Sequence, residues 1–285
     1  MGSSMGALFV VGTPIGNLED MTPRGARVLG QVSLVAAEDT RVTRRLLAHL
    51  GIRVPLVSYH EHNWRDRLPG VLKALESADV ALVCDAGMPA VSDPGSELVS
   101  RAAAEGYRVE VVPGPSALTA ALALSGLSAD AFMFLGFPPR RGKDRRGRLR
   151  AAASLPLTLV LFEAPHRLRA TLGDVLEELG DREVALCREL TKLHEEVFRG
   201  TVSQALEHAQ TPRGEYVLVI EGAAAQAGPP DTPPATVEEA RRRLAELRES
   251  GVRAKEAVAR VAEPLGLPKN VVYRLWVEAG RRPGG

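Results

Sequence analysis

The sequence predicts an α/β protein in which two α/β domains are followed by a small helical module. Short apolar runs alternate with helical patterns along most of the chain, which is typical of a mostly parallel sheet. Turn-rich segments that carry carboxylates follow several of these runs. A stretch rich in Ala, Gly and Pro then precedes a segment with helical patterns only. The predicted boundaries are 6–112 and 113–222 for the two domains, 223–235 for a linker and 236–280 for the helical module.

The composition allows a sizeable core. Of the 285 residues, 45% are hydrophobic, and the net charge is only +1. No apolar run approaches the roughly 20 residues that cross a bilayer, and the N-terminus lacks the pattern of a signal peptide. Cys84 and Cys187 both lie in apolar runs, so we expect buried thiols in a reducing compartment. These features predict a cytoplasmic protein.

The first domain is predicted to contain five strands, each of them a short apolar run. They are residues 8–11, 32–37, 54–59, 80–84 and 108–112. Helices are expected between the strands. Thr22 and Pro23 are typical of an N-cap and a first helical residue, and Asn63 can cap the helix after the third strand.

The stretch 80–95, VALVCDAGMPAVSDPG, is predicted to be the centre of this domain. Asp85 follows a buried strand, at the sheet edge where α/β proteins bind ligands. Gly87 and Gly95 allow the backbone to approach a ligand closely. The alternative is an ordinary connection from strand to helix, capped by Ser92 or Asp93.

The second domain and the module follow similar patterns. Strands are predicted at 132–137, 158–162, 183–188, 195–199 and 215–221. Helices are predicted at 237–249, 252–265 and 268–279, and the last two form a weak helix-turn-helix pattern.

A basic run, PRRGKDRRGRLR, covers residues 139–150 and holds seven basic residues against one aspartate. Arginines bind phosphates well, and phosphate contacts supply much of the affinity for RNA. We therefore predict RNA contacts here, although a solvated face or loop is the alternative. The candidate residues are Arg140, Arg141, Lys143, Arg145, Arg146, Arg148 and Arg150.

Seven motifs occur in one order between residues 8 and 222. They are GTPIGNL (12–18), AEDTR (37–41), YHEHN (59–63), DAGMP with DPG (85–95), PGPS (113–116), FEAPHR (162–167) and RELTK (188–192). With this set the sequence strongly resembles the ribosomal RNA small subunit methyltransferase I family of the tetrapyrrole methylase superfamily. The resemblance implies two α/β domains of the tetrapyrrole methylase type, with S-adenosylmethionine bound in the cleft between them. It also implies a homodimer that methylates the 2′-hydroxyl of a cytidine ribose in the decoding centre of 16S rRNA.

The resemblance also implies which residues bind the cofactor. They are Pro14, Ile15, Asp85, Gly87, Met88, Ser116, Ala117 and Phe162. Pro14 stands in a loop that is glycine-rich in relatives acting on tetrapyrroles, which favours the rRNA branch. Met88 stands where the family usually has threonine, so a contact there is expected from the backbone. Backbone amides of 114–117, at a helix start, are suited to bind a carboxylate.

Methyl transfer to a ribose hydroxyl requires alignment and a group that takes the proton. Asp39, Glu163, His166 and Glu189 are the candidate bases, because each follows a predicted strand. Arg41 and Lys192 are the candidate cations, and Lys192 would lower the hydroxyl pKa or hold a phosphate. As alternatives, Asp39 and Arg41 form a capping ion pair, His166 only starts a helix, and Lys192 is solvated.

His60 and His62 raise the question of a metal site. They share one face of an extended segment, but no third ligand is indicated, so we expect no metal and favour contact with RNA or a role in the loop. Two other functions remain open. One is methylation of a tetrapyrrole or another small molecule on the same fold, and the other is a non-catalytic RNA-binding assembly factor. The basic run and the C-terminal module favour RNA over a tetrapyrrole.

Overall fold

A computed structural model describes residues 5–223, 234–267 and 269–278. The chain divides into two compact units between Gly222 and Ala223. The predicted linker, 223–235, lies almost wholly outside the described residues. None of the described helices is long and apolar enough to cross a membrane.

The first sheet consists of five strands joined by helices. The strands are β1 (Ala7–Val11), β2 (Leu34–Ala37), β3 (Leu56–Ser58), β4 (Val80–Val83) and β5 (Arg108–Val112). The helices are α1 (Pro23–Leu29), α2 (Thr40–His49), α3 (Trp64–Leu75) and α4 (Ser96–Ala104). The strand order is β3-β2-β4-β1-β5 and every pairing is parallel, as the alternation of strands and helices predicted.

The central strand β4 is buried throughout, which explains its continuous apolar run. Successive side chains point to opposite faces of the sheet. Ala81 and Val83 pack in the cluster that contains residues of α1 and α2. Val80 and Leu82 pack in the cluster that contains residues of α3 and α4. The sheet is therefore covered on both faces, and its carboxyl edge is left to form a site.

The helix starts confirm one predicted cap and correct two others. The Thr22 hydroxyl accepts a hydrogen bond from the Gly25 N–H at 3.0 Å, and Pro23 follows it. Asn63 precedes α3, but its side chain bonds to His60 and Ser58 and does not cap the helix. The helix after the central loop begins at Ser96, behind Gly95, so neither Ser92 nor Asp93 caps it.

The second sheet is mixed. Its strands are β6 (Phe132–Phe134), β7 (Thr158–Glu163), β8 (Glu183–Arg188), β9 (Glu196–Thr201) and β10 (Tyr216–Ile220). They are ordered β6-β7-β10-β8-β9, and only the pairing of β6 with β7 is parallel. This corrects the expectation of a mostly parallel sheet. One physical reason is that only residues 189–195 join β8 to β9, whereas parallel neighbours need a crossover of about a dozen residues or more.

Four helices cover the second sheet. They are α5 (Ala117–Ser125), α6 (Gly142–Ala152), α7 (Pro165–Leu179) and α8 (Val202–His208). Residues of α6, α7 and α8 share one core cluster with the sheet, whereas α5 packs in a separate cluster with Cys187 and Val219. Cys84 and Cys187 are buried free thiols, as predicted.

The basic run forms α6 and is partly neutralised within the protein. Arg145 is only 7% exposed, and its Nε donates to Asp174 Oδ2 of α7 at 2.6 Å. Arg146 also contacts Asp174, and Arg150 forms a bidentate pair with Glu178. Because these three arginines already have carboxylate partners, the structure corrects the expectation that the whole run is free to contact RNA. Arg145 is not available to a phosphate.

The second unit is helical, as predicted. Its described helices are α9 (Pro234–Glu249), α10 (Ala254–Ala262) and α11 (Lys269–Glu278). Their apolar faces form one core cluster that includes Leu244, Val261 and Leu275. The predicted helix 268–279 extends beyond the described residues by one position at each end.

Candidate active site

A cavity of about 290 Å³ lies where the carboxyl edge of the first sheet meets the second sheet. We call it the cleft. Residues that follow β1, β2, β4 and β5 line one side, and the ends of β7, β8 and β10 line the other. The carboxyl ends of parallel strands are the usual ligand position in an open α/β sheet. The fold therefore places a concave site at the predicted edge.

The cleft brings together most of the residues that the resemblance implied for the cofactor. Its lining includes Ile15, Asp85, Gly87, Met88, Ser116, Ala117 and Phe162. Pro14 lines a neighbouring cavity on the other side of Ile15. The lining shows which side chains are adjacent, and their roles stay predictions.

The loops after β1, β4 and β5 contact each other through their backbones. The Thr13 N–H donates to the Gly87 carbonyl at 2.9 Å, and the Gly87 N–H donates back to Thr13 at 3.1 Å. A Cβ on Gly12 would lie 2.7 Å from Gly114 Cα, which is closer than atoms can approach. Gly87 also has a φ of 90°, which favours glycine. These glycines are therefore required for the loops to form the floor of the cleft.

Two hydrogen bonds join the segments that follow β2 and β4. The Asp39 N–H donates to Asp85 Oδ1 at 3.0 Å, and the Asp85 N–H donates to Glu38 Oε2 at 3.3 Å. Since β2 and β4 are neighbours in the sheet, this pairing places the carboxyl groups of Glu38 and Asp85 side by side. Glu38 lines the cleft, whereas Asp39 does not. Asp39 of the motif AEDTR is a predicted base, whereas Glu38 of the same motif is not among the predicted residues.

The cleft is strongly acidic. Within the described part of the chain, its lining contains six carboxyl groups and a single cation, Lys192. The carboxyl groups belong to Glu38, Asp85, Asp93, Glu163, Glu189 and Glu215.

Burial and neighbouring charges shift the pKa values of four of these carboxyl groups. Burial raises the pKa of Glu38, Asp85 and Asp93, and the negative charge of neighbouring carboxylates raises each of them further. For Glu189, burial acts in the same direction, but the hydrogen bond and charge of Lys192 outweigh it and lower the pKa. The cleft is thus suited to a ligand that carries positive charge.

Asp39 and Arg41 form the capping ion pair that the sequence left as an alternative. The Arg41 guanidinium donates from Nε and Nη2 to both Asp39 carboxylate oxygens at 2.6–3.1 Å. The carboxylate also accepts from the Arg41 N–H and so caps α2. The side-chain hydrogen bonds to Arg41 lower the pKa of Asp39 to about 2. Such a carboxylate is a weak base.

Glu163 lies at the wall of the cleft with both carboxylate oxygens occupied. It is 1% exposed and accepts hydrogen bonds from Thr171 Oγ1 at 2.5 Å and the Ala164 N–H at 2.9 Å. Arg167 Nε lies 3.3 Å from the same carboxylate. These partners hold Glu163 in a structural network at the start of α7.

Some of the remaining predicted site residues line the cleft, and the others lie on the surface away from it. Lys192 Nζ donates to Glu189 Oε1 at 3.1 Å, and both residues line the cleft. His166 is exposed at the start of α7 and does not line it. His60 and His62 lie in the turn before α3, where His60 Nδ1 accepts from the His62 N–H at 3.3 Å. Among the described residues, no three His, Cys, Asp or Glu side chains are grouped so that they could hold a metal ion.

Four non-glycine residues beside the cleft have left-handed backbones. Ala90, Ser92, Glu189 and Thr191 have φ between 50° and 66°. Each such conformation costs about 1–3 kcal/mol and is typical of functional loops. None of these residue types predicts a positive φ, so sequence reasoning missed this feature. It also missed Asp93 and Glu215 as lining residues, although Asp93 stands in the DPG motif.

The chain is similar in sequence to several known proteins. The sequence model of the family Tetrapyrrole (Corrin/Porphyrin) Methylases matches residues 7–206. The chain is 44% identical to ribosomal RNA small subunit methyltransferase I of Halalkalibacterium halodurans over 277 residues, which are 95% of this chain and 94% of that protein. The protein of the same name from Thermotoga maritima is 50% identical over 221 residues, which are 76% of this chain and 99% of that one.

Solved structures show the same fold. Uroporphyrin-III-C-methyltransferase of Thermus thermophilus superposes with a TM-score of 0.52 at 26% identity, covering 75% of this chain and 94% of that one. A diphthine synthase superposes with a TM-score of 0.59 at 16% identity, covering 76% of this chain and 89% of that one.

Proposed function

Because the chain belongs to the ribosomal RNA small subunit methyltransferase I family, within the tetrapyrrole methylases, we propose that it methylates ribosomal RNA with S-adenosylmethionine. The proposed target is the 2′-hydroxyl of a cytidine ribose in the decoding centre of 16S rRNA. The observation that carries the proposal is the 44% identity over 95% of the chain to a relative with that name. A ribosomal substrate supports a cytoplasmic location, which is part of the proposal.

The acidic cleft fits the proposed cofactor. When bound, S-adenosylmethionine supplies a methyl group that is already activated by a positively charged sulfur, so the reaction needs no metal. Glu38, Asp85 and Asp93 line the cleft and would attract this charge. Ser116 and Ala117 begin α5 and would offer backbone N–H groups to the carboxylate of the cofactor.

The geometry favours Glu38 and Asp85 as the groups that accept the hydroxyl proton. Both line the cleft, and burial raises the pKa of both carboxyl groups. Asp39 is held by Arg41, and Glu163 is held by Thr171. A positioned base typically adds about 10²–10⁴-fold to the rate, and alignment contributes about 7–11 kcal/mol in favourable cases.

A homodimer is part of the proposal. Val111 lies on the edge strand β5 and is 56% exposed, and Phe132 lies on the edge strand β6 and is 41% exposed. Exposed apolar residues on sheet edges are typical of surfaces that pair with another chain. They support a second copy as the partner.

Methylation of a tetrapyrrole is the second candidate, supported by the 26% identity to the uroporphyrin-III enzyme. The higher identity to the rRNA-named relatives and the exposed arginines of α6 favour RNA. A non-catalytic RNA-binding factor is a third candidate. The strained loops beside the cleft disfavour it, because an idle site has no reason to retain strain.

The deciding experiment incubates the protein with labelled S-adenosylmethionine and small ribosomal subunits from an unmethylated strain, followed by nucleoside mapping. We expect label in one 2′-O-methylcytidine of 16S rRNA. Asp85→Ala should stay folded and lose cofactor binding in calorimetry, whereas Asp66→Ala, on the exposed face of α3, should behave as wild type. A parallel reaction contains a tetrapyrrole in place of the subunits. Label in the tetrapyrrole but not in rRNA would favour the second candidate, and no transfer to either would favour the third.

A further inference from the structure

A second cavity of about 340 Å³ lies beside the cleft. We call it the groove. The loop after β1 and one face of α2 line it. Ile15, Asp85 and Ala86 belong to the lining of both cavities, so only this layer of residues separates them. A ligand in the groove would therefore be next to a ligand in the cleft.

The walls of the groove are largely apolar. Pro14, Leu18, Val42 and Leu46 contribute to them. Leu18 is 43% exposed and Val42 is 37% exposed, so two large apolar side chains at this site contact solvent. Exposed apolar side chains around a concavity are typical of a surface that binds a partner. A flat, partly apolar group such as a nucleobase suits these walls.

The groove also has positive charge that the protein does not neutralise. Arg45 lines it, and Arg44 is the preceding residue of α2. Within the described residues, neither side chain forms an ion pair or hydrogen bond, and both are exposed. Arg41 of the same helix is held by Asp39, and Arg145 is held by Asp174. Arg44 and Arg45 are therefore free to bind an anion, and guanidinium groups match phosphates well.

From these observations we propose that the groove binds the target nucleotide of a single-stranded RNA segment. The base lies against Leu18 and Val42, and an adjacent phosphate binds Arg45 and Arg44. This inference rests on the proposed function and adds a substrate subsite to it.

The distribution of charge supports this arrangement. Phosphates are repelled by the six carboxyl groups of the cleft, so the RNA backbone must lie outside it. Arg45 lines the groove outside the cleft and Arg44 precedes it on α2, and the shared wall at Asp85 leaves the ribose beside the cleft. Proteins that act on one nucleotide commonly hold its unstacked base in such a pocket.

The proposed binding of a phosphate by Arg45 is tested with the variant Arg45→Gln in the full chain. The matched control is Arg53→Gln. Arg53 is exposed and precedes β3, so it lies at the amino edge of the first sheet, whereas the groove lies at the carboxyl edge. We expect Arg45→Gln to bind unmethylated small subunits about tenfold more weakly when loaded with S-adenosylhomocysteine. The control should bind as wild type, and calorimetry should show unchanged cofactor affinity in both variants.

The apolar walls are tested with Val42→Trp, which fills the groove from an exposed helix position that tolerates a large side chain. We expect methyl transfer to small subunits to be lost while affinity for S-adenosylhomocysteine is retained.

Transfer at the wild-type rate and KM in Val42→Trp and Arg45→Gln would overturn the subsite and leave the proposed function standing. Loss of cofactor affinity in both would assign the groove to the cofactor and also overturn the subsite. An equal effect of Arg53→Gln would show only general attraction between charges and would overturn it too. Absence of transfer by the wild type would overturn the proposed function and the subsite with it.

Discussion

Asp39 and Asp85 are joined by one hydrogen bond, yet their carboxyl groups have different properties. Arg41 holds the Asp39 carboxylate and lowers its pKa to about 2. Burial raises the pKa of Asp85, and the negative charge of Asp39 adds to this effect. The neighbouring Glu38 has a raised pKa for the same main reason. At the residue scale, the chemistry of each carboxyl group depends on its partners and not on its position after a strand.

Glu38→Gln is expected to reduce the rate of methyl transfer by about 10²-fold or more, because an amide cannot accept the hydroxyl proton. Single-turnover rates with saturating cofactor measure this effect. Asp39→Asn is the matched control, since asparagine can still cap α2 and the change removes only the ion pair with Arg41, so we expect no comparable loss in rate. A slow Asp39→Asn and a normal Glu38→Gln would restore Asp39 as the base.

The acidic lining predicts a pH effect that distinguishes the cofactor from its product. Raised pKa values mean that Glu38, Asp85 and Asp93 take up protons at a higher pH than ordinary carboxyl groups. Acidification from pH 7 should therefore weaken binding of the sulfonium cation more than binding of the neutral thioether S-adenosylhomocysteine. Calorimetry with both ligands over about pH 4–7, the range from ordinary carboxyl pKa values to neutral pH, tests this. Equal losses for the two ligands would contradict it.

The same shifts predict how stability changes with pH. The folded protein binds protons at these carboxyl groups more tightly than the unfolded chain, so the free energy of unfolding falls as pH rises from the ordinary carboxyl pKa through the raised values. Asp93→Asn should therefore stabilise the ligand-free protein at pH 7 while weakening its affinity for the cofactor. Thermal unfolding at pH 7 and at low pH measures the stabilisation. The difference in stability between Asp93→Asn and the wild type should vanish at low pH, where the Asp93 carboxyl group is protonated.

Helix α6 shows at the element scale how a charge pattern is divided between structure and surface. Its buried face carries Arg145, which pairs with Asp174 of α7. The exposed residues Arg140, Arg141, Lys143 and Arg148 of the same run form no ion pair within the described residues. Arg140 and Arg141 precede α6, and the other two lie on the exposed surface of the helix. All four are available to RNA.

Replacing Arg140, Arg141, Lys143 and Arg148 with glutamine should flatten the dependence of log affinity for RNA on log salt. Each phosphate contact on a single strand contributes about 0.7 to the slope, so four contacts give about 2–3 units. Cofactor affinity should not change. As a control, Arg145→Gln should leave the salt slope unchanged but destabilise the protein by about 1–3 kcal/mol, because the buried Asp174 then keeps only its contact with Arg146. A wild-type slope in the fourfold variant would show that these residues are only solvated.

At the scale of the whole molecule, the cleft belongs to one unit of the chain. Every residue in its lining precedes Gly222, where the first unit ends. The second unit has its own core cluster of residues from α9, α10 and α11. The lining of the cleft and the C-terminal helices therefore belong to separately packed units.

A chain that ends at Gly222 is expected to fold and to bind S-adenosylhomocysteine with an affinity within about twofold of the full chain, since it retains the whole lining. Calorimetry and thermal unfolding check the two parts of this prediction. Methylation of small subunits by the shortened chain then measures what the helical unit adds. Loss of cofactor binding in a folded fragment would show that the C-terminal unit supports the cleft.

Local patterns in the sequence determined the order of the elements, the parallel first sheet and most of the cleft. Apolar runs, turn residues and helix caps act over a few positions, so β1 to β5 and the loops after them could be predicted. The resemblance to a known family implied that Asp85, Ser116 and Phe162 belong to one site, and the cleft brings them together.

Only the tertiary structure decided the features that depend on distant partners. The antiparallel pairing of β10 with β7 and β8, the burial of Arg145 against Asp174 and the place of Glu38 in the cleft have no local signal. The groove likewise depends on α2 lying against the loop after β1. Strand pairing, ion pairs and pKa values are set by atoms from separate parts of the chain, so they are established only when the elements pack.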